Sequence, residues 1–477
     1  MSGGWIRAIG AWISGVFRRC APDPFVLALL LTLLTGAIAI GVGYPGRELG
    51  VGERATATMR AWGGLDGPGM WSLLAFSMQM CLVMVTGHAL AESGPVARLL
   101  RRMSGVARDG RSGAAMVACV ACLAGIVNWG LGLIVGAILA REVGRALAAR
   151  GVGFSYPVLA AAGYTTMMVW HGGMSGSAPL SVVTVEKAGA TLPREVLAAH
   201  APASGAWIGL DQTLGSTLNL IVTGGLLVIV PLTVWLLAPR TGSGELPRGV
   251  RVCAEENESE REEDEGCGAG AIPRWLERSR VPGWVLGLLA MGMVGMYVSE
   301  RGWRTVGLNE INLAMFAVGL LCHGSMGAYA RAAEDAARGC VGVIIQFPLY
   351  AGIMSMMQES GLVRMIAEGM VSVADDRSLP VLGFLSAALV NLFVPSGGGQ
   401  WAVQGPIAIE SASAMGTPLG EAVMAIAYGD QLTNMLQPFW ALPLLAITRV
   451  RAREIVGYTA CVMAVGGVWI AAMLYIL

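Results

Sequence analysis

Apolar runs of close to the roughly 20 residues that a bilayer-spanning helix needs recur at 24–43, 71–91, 216–238, 282–299, 310–326, 340–359 and 455–476. Each predicts a transmembrane helix. Three more regions, 112–150, 155–183 and 380–446, are apolar but interrupted near the middle by Gly, Asn, Ser or Pro, and the last divides into 380–412 and 420–446. Backbone that leaves helical geometry inside a bilayer costs several kcal/mol for each unpaired N–H or C=O, so it persists only where protein or water covers it. The interrupted stretches are therefore expected to gather round a cavity, within an all-α polytopic membrane protein.

The flanks of this pattern differ from it. Trp5, Ile9, Trp12, Ile13 and Val16 return at helical spacing beside Arg7, Arg18 and Arg19. Residues 1–23 are thus expected to lie as an amphipathic helix on the cytoplasmic membrane surface; because the charges follow the apolar stretch, a signal peptide is not expected. Near the middle of the chain, Glu255, Glu256, Glu258, Glu260, Glu262, Glu263, Asp264 and Glu265 crowd a segment with almost nothing to bury, which reads as a disordered cytoplasmic linker over 241–280. It separates a first transmembrane unit, 24–240, from a second, 281–477.

Composition and charge narrow the function. The 477 residues are 55% hydrophobic and 13% charged, about half the charge of an ordinary soluble domain. Net charge is zero, which argues against a nucleic-acid partner. Cys119 and Cys122 are three apart with no second pair at zinc spacing, so the nine cysteines read as small core residues and no metal or other cofactor is expected. If 112–150 and 380–412 are hairpins that return to the side they entered, 23 of the 32 basic residues fall on one side, including those of 98–111, 141–150, 240–280, 331–338 and 449–453. Complete crossings would leave 17 against 15. The positive-inside rule favours the hairpins, with the N-terminus cytoplasmic and the C-terminus outside.

The two units echo one another. Gln79 and Glu92-Ser93-Gly94 recur as Gln346 and Glu359-Ser360-Gly361, and Asn128 in the first hairpin has Asn391 in the second. In the topology above the paired segments run in opposite directions, so two inverted-topology repeats are expected, each with a re-entrant hairpin and a broken helix (112–150 with 155–183; 380–412 with 420–446). That is the arrangement of an alternating-access transporter.

Four breaks hold the candidate chemistry: Asn128-Trp129-Gly130; His171-Gly172-Gly173-Met174-Ser175-Gly176-Ser177; Pro395-Ser396-Gly397-Gly398-Gly399-Gln400; and Asp430 to Asn434, followed by Gln437. A helix restarting after a Gly-rich turn offers free N–H groups to a carboxylate, and the carbonyls freed before it suit a cation. With no Lys or Arg at depth, the anion is expected to meet amides of Gly130, Gly172, Gly173 and Gly397 to Gly399, with Asn128, Ser175, Ser177, Ser396, Gln400, Thr433 and Asn434 around it. Asp430, an acid inside an apolar span, is the coupling candidate, with Asn391 and Gln437 nearby, although it could instead cap the half-helix after the break. His171 relays a proton, binds substrate, or is satisfied by carbonyls. Trp129, Trp170 and Trp401 adjoin breaks and suit an acyl pocket. A competing reading takes Gly173-Met174-Ser175-Gly176 as the serine turn of an intramembrane hydrolase, with Ser175 as nucleophile.

Longer strings identify a relationship. Asn128-Trp129-Gly130, Tyr156-Pro157, Trp170-His171-Gly172-Gly173, Ser177-Ala178-Pro179-Leu180, Gln346 to Met354, Asn391 to Trp401, and Tyr428-Gly429-Asp430 through Gln437-Pro438-Phe439-Trp440 resemble the short-chain fatty acid uptake (AtoE) family of the ion transporter superfamily. The acidic linker looks like an insertion in that pattern. The resemblance implies two inverted halves and uptake of small monocarboxylates such as acetoacetate or butyrate across a bacterial inner membrane. It also implies proton or sodium symport, and it makes a second copy of the chain an expected partner beside the lipid bilayer. A dicarboxylate or other organic anion is the alternative substrate.

Overall fold

A computed structural model describes residues 12, 15, 16, 19, 22–189, 197, 198, 207–239, 242–247, 250, 271–302, 308–437 and 440–477. Most of the expected surface helix 1–23, and the acidic residues 255–265, lie outside them. No β-strand occurs among the described residues. Among the described residues, seven helical stretches are long and apolar enough to cross a membrane: Pro24–Val42, Gly69–Glu92, Gly110–Val127, Thr217–Leu237, Val281–Arg301, Met326–Glu359 and Ala452–Ile476. This is a multi-pass membrane protein.

The helices that matter here are α1 (Pro24–Val42), α2 (Val51–Gly63), α3 (Leu74–Glu92), α4 (Gly94–Ser104), α5 (Gly110–Val127), α6 (Trp129–Ala149), α7 (Tyr156–Tyr164), α8 (Ser177–Ser181), α9 (Thr217–Leu237), α10 (Val281–Arg301), α11 (Leu308–Cys322), α12 (Met326–Ala337), α13 (Val341–Glu359), α14 (Leu362–Val371), α15 (Leu379–Asn391), α16 (Gly397–Met415), α17 (Leu419–Thr433), α18 (Leu442–Thr448) and α19 (Ala452–Ile476). Helix starts are written locally. Asp23 accepts the Phe25 amide ahead of Pro24 at the first turn of α1, and Ser216 accepts the Asn219 amide at the start of α9. Leu29, Leu30, Leu33 and Leu34 of α1 and Leu288, Leu289, Met293 and Met296 of α10 stay exposed. Apolar faces of that extent suit acyl chains as their solvent.

Both interrupted segments fold as a helix, a break and a second helix. Asn128 alone separates α5 from α6, which pack along each other so closely near the tip that a methyl on Gly132 would stand 2.7 Å from the Gly125 Cα. Small residues allow such backbone approach. The open ends are tied together by the Arg150 guanidinium, which donates to the Ala107 carbonyl. Along α6, the Arg141–Glu142 ion pair (3.2 Å) and the Arg145–Glu142 pair (2.9 Å) sit about 20 Å of helix before the tip, short of the roughly 30 Å hydrocarbon core. In the second hairpin α15 has only 13 residues, again about 20 Å, and it packs chiefly along α17 rather than on its own returning arm α16. Its ends approach through the Thr417 hydroxyl and the Asp376 carbonyl.

The element order repeats. A 19-residue helix ending in Glu-Ser-Gly, an amphipathic helix, a hairpin, a broken helix and a long helix appear as α3 to α9 and again as α13 to α19. Two expectations need correction. Residues 242–247 and 250 are seated rather than disordered: the Gly244 amide donates to the Phe154 carbonyl (3.2 Å), Arg145 donates to the Val250 carbonyl (3.0 Å), and Leu246 and Val250 are buried. Two apolar side chains suffice to anchor it. At the other end of the expected linker, Ala271–Arg278 is helical.

Candidate functional site

At the first tip, Asn128 is the N-cap of α6. Its side-chain oxygen accepts from the amides of Gly130 (2.9 Å) and Leu131 (3.3 Å), filling two of the places left open where a helix begins. The tip then docks on the break between α7 and α8. The Trp129 amide donates to the Ser175 hydroxyl (3.1 Å), and the Met174 amide to the Ile126 carbonyl (2.7 Å). The break is held from behind by Asn219 of α9, whose amide donates to the carbonyls of Gly172 (3.0 Å) and Leu214 (2.7 Å) while its oxygen accepts from Thr223 (2.8 Å) and Tyr428 (2.9 Å).

In the second unit, Asn391 at the end of α15 plays an organising part. Its amide donates to the Asp430 carbonyl (2.6 Å), Thr433 Oγ1 (3.0 Å) and Asn434 Oδ1 (2.8 Å), and its own carbonyl accepts from the Gln437 side chain. Thr433 donates in turn to the Ala388 carbonyl (2.9 Å). The acceptor oxygens Asn391 Oδ1 and Gln437 Oε1 remain buried with no hydrogen-bond partner, as does the Asn434 amide nitrogen. Tyr164 of the first unit closes this network, its hydroxyl donating to the carbonyls of Asn434 (2.7 Å) and Gln437 (3.0 Å). Tyr164→Phe removes the hydroxyl donor from the Gln437 carbonyl, while the Asn434 carbonyl keeps the Gln437 amide, a loss of about 1–3 kcal/mol. We expect a lower unfolding midpoint in detergent with helical circular dichroism retained; an unchanged midpoint would show that the hydroxyl is dispensable.

The two units meet at His171. Its backbone N–H donates to Gln431 Oε1 (3.1 Å), and its ring Nε2 lies 3.4 Å from Asp430 Oδ1, both side chains almost fully buried. The second hairpin tip stands against the same ring: a methyl on Gly397 would come within 3.0 Å of His171 Nε2 and 2.9 Å of Ser177 Oγ. Ser396 caps α16 through the Gly399 amide (3.2 Å), so the first amides of α16, Gly397 and Gly398, are those without an intrahelical partner.

Several expected roles change accordingly. Asp430 is neither in a break nor an N-cap, because α17 continues unbroken to Thr433 and the interruption begins at Asn434. The amides of Gly130, Gly173 and Gly399 are spent on Asn128, the Trp170 carbonyl and Ser396, which leaves them unable to bind an anion. Gly172 and Gly173 serve close packing, since a methyl on either would collide with Thr223 or with the Ile126 backbone. Gln400 faces the Ala387 carbonyl (2.9 Å) and Gln404 (2.8 Å) within the second unit. Ser175 accepts the Trp129 amide, and no histidine is among its hydrogen-bond partners in the described residues. Trp401 is buried in a separate cluster with Ala178, Val182 and Ile409.

Trp129 and Trp170 do share a wall, 6.3 Å apart, with three aromatics that periodicity alone did not single out. Phe76 lies 6.2 Å from Trp129 and 5.7 Å from both Phe347 and Trp440, and Trp440 meets Trp129 edge-on at 5.0 Å. Asn219 and Tyr164 were missed for the same reason. Each lies in a helix whose pattern is satisfied without it, and only the partners reveal its use.

The chain matches the sequence profile described as "Short chain fatty acid transporter" over residues 5–477. It belongs to the short-chain fatty acid transporter family. A relative in Escherichia coli K12, provisionally named a short-chain fatty acid transporter, is 39% identical over 463 residues, 97% of this chain and 98% of its own. One from Haemophilus influenzae, with the same provisional name, is 35% identical over 95% of this chain and 96% of its own. Among solved structures, the Alcanivorax borkumensis YdaH transporter is similar at 15% identity and a TM-score of 0.42, over 94% of this chain and 98% of that one. That likeness is too loose to fix the placement of helices. In this family member, His171 of the first unit meets Asp430 and the Gly397 tip of the second, while the first hairpin tip docks beside them on Met174 and Ser175.

Proposed function

We propose that this protein takes up short-chain fatty acids and related small monocarboxylates, the acetoacetate and butyrate class, by cation symport across a bacterial inner membrane. The observation that carries the reading is the convergence at His171: one hairpin tip with unpaired amides, two interrupted helices and a buried acid meet with no Lys or Arg among them. Such a place suits one carboxylate held by amides and hydroxyls, at Gly397, Gly398, Ser177 and Ser396. A dicarboxylate is disfavoured because nothing cationic is present to offset its second charge. The buried oxygens Asn391 Oδ1 and Gln437 Oε1, with Asp430 on the same network, are the ion-coupling candidates.

The repeated order of α3 to α9 and α13 to α19 supports alternating access by two inverted halves. So does the sidedness of their contacts. The junction after α3 lies near basic residues, with Arg141 and Arg145 close enough to Glu92 to act on its charge. The junction after α13 joins instead to Arg47 through Glu359 (3.2 Å). The first set carries most of the basic residues and is placed in the cytoplasm with the N-terminus, which puts the C-terminus outside.

Uptake of labelled butyrate into proteoliposomes under an imposed proton or sodium gradient tests this. Accumulation driven by one gradient and abolished by its collapse is expected. Flat traces under both, with butyrate and acetoacetate alike, would refute the monocarboxylate reading.

A further inference from the structure

Two buried donors next to His171 have nothing to donate to among the described residues, Gln431 Nε2 and Trp170 Nε1. Their residues are 0% and 3% exposed. Turning the Gln431 amide over does not hide the fault, because its Oε1 already accepts the His171 backbone N–H (3.1 Å). The oxygen is fixed there, and the NH2 end with its two hydrogens is the one left unmet. Trp170 carries no such ambiguity, since an indole nitrogen only donates. Buried donors are nearly always paired, because an unmet one forfeits the bonds it made to water.

The two donors and the second hairpin tip are neighbours of one imidazole. Gln431 reaches His171 through that hydrogen bond, the Trp170 ring lies against it with centroids 3.7 Å apart, and Gly397 packs on it from α16. Trp170 is also where the aromatic wall begins, 6.3 Å from Trp129, which passes on to Trp440 at 5.0 Å. It therefore joins the polar part of the site to the apolar part.

The donors differ in what they can serve. Gln431 is uncharged and offers two hydrogens, and a carboxylate held at the Gly397 and Gly398 amides has lone pairs left for them. Trp170 stands where the acyl chain would pass. A saturated chain has no acceptor to give, so it would cover the indole N–H with methylenes and shut it off from water without replacing the bond. A chain that carries a ketone or hydroxyl oxygen near its carboxyl group supplies the acceptor.

Resting on the monocarboxylate reading of this site, we propose that Gln431 is a further carboxylate ligand and that Trp170 determines specificity, its indole N–H selecting oxo- and hydroxy-substituted short-chain acids over unsubstituted ones. Exclusion contributes as much as attraction, since the unsubstituted acid leaves a buried donor unpaired.

The test titrates the full-length protein in nanodiscs calorimetrically with acetoacetate, 3-hydroxybutyrate and butyrate at one pH and salt concentration. The two substituted acids are expected to bind at least about tenfold more tightly than butyrate, the ratio that one unmet buried donor produces. Trp170→Phe keeps an aromatic ring and removes the N–H, and it should bring the acetoacetate to butyrate ratio close to one. A merely structural Trp170 would lower both affinities together and leave the ratio standing. Gln431→Glu retains an oxygen for the His171 N–H but sets a second acceptor against the substrate, and should weaken all three acids at least about tenfold. Wild-type affinities that fail to distinguish the three acids, or a preference that survives Trp170→Phe, would overturn the role of Trp170. Unchanged binding by Gln431→Glu would overturn that of Gln431. Each of these results leaves the monocarboxylate reading intact, whereas no binding of any of the three acids to the wild type would overturn that reading as well.

Discussion

Asp430→Asn is expected to abolish concentrative uptake while sparing exchange. In proteoliposomes with a one-unit pH gradient, one-for-one proton symport accumulates substrate about tenfold, since a unit of pH is worth 1.36 kcal/mol. The variant should hold the internal to external ratio near one. Labelled butyrate should still exchange against unlabelled butyrate, because the substitution is nearly isosteric and the carbonyl of residue 430 still accepts from Asn391. This separation distinguishes a coupling role from a structural one. A residue needed only for folding would take exchange down with accumulation. Full accumulation by the variant would remove Asp430 from the coupling step and leave His171, Asn391 and Gln437 as the remaining candidates.

Asp430 was legible in the sequence because an acid in an apolar span is expensive, and so were the four interruptions, because unpaired backbone in lipid is expensive too. Chain pattern carries those costs directly. Which end of a break a residue occupies does not follow from pattern: Asp430 was expected in the break and lies one turn before it, since a helix in a protein-lined site can run on through polar residues once Asn391 donates to the Asp430 carbonyl and to the Asn434 side chain. The same limit applies to the glycines. Their abundance at the breaks pointed to anion-binding amides, but whether an amide is free depends on the cap beside it, and Asn128 and Ser396 claim those of Gly130 and Gly399. Long-range partners were out of reach altogether. Tyr164 bonds 270 residues away and Tyr428 bonds 209 away, and no local periodicity encodes either. Likewise, the seating of 242–247 and 250 depends on the Phe154 carbonyl and on Arg145 of α6, not on the polar composition that suggested disorder.

Gly173→Ala is expected to have the other large effect, and through packing alone. The glycine backbone is extended, with φ −111° and ψ −170°, so alanine suffers no conformational strain there. What it lacks is room. The added methyl would overlap the Ile126 carbonyl and stand 2.7 Å from the Ile126 Cα, and backbone at the end of α5 cannot rotate away as a side chain would. Relief requires the first hairpin tip to lift from the break, which would stretch the Met174 to Ile126 and Trp129 to Ser175 hydrogen bonds together. Overpacking of this kind costs about 1–3 kcal/mol, and here the cost falls on the contact that sets His171 against Asp430. Butyrate uptake should drop at least about tenfold with the protein still inserted, since a shift of an ångström at a binding site is enough to do this. Gly224→Ala on α9 is the control: nothing lies within 4 Å of its added methyl, and uptake and unfolding midpoint should match wild type. Equal losses in both variants would mean that α9 and the break tolerate no added volume anywhere. Wild-type uptake by Gly173→Ala would mean that the tip and the break are not held in contact during transport.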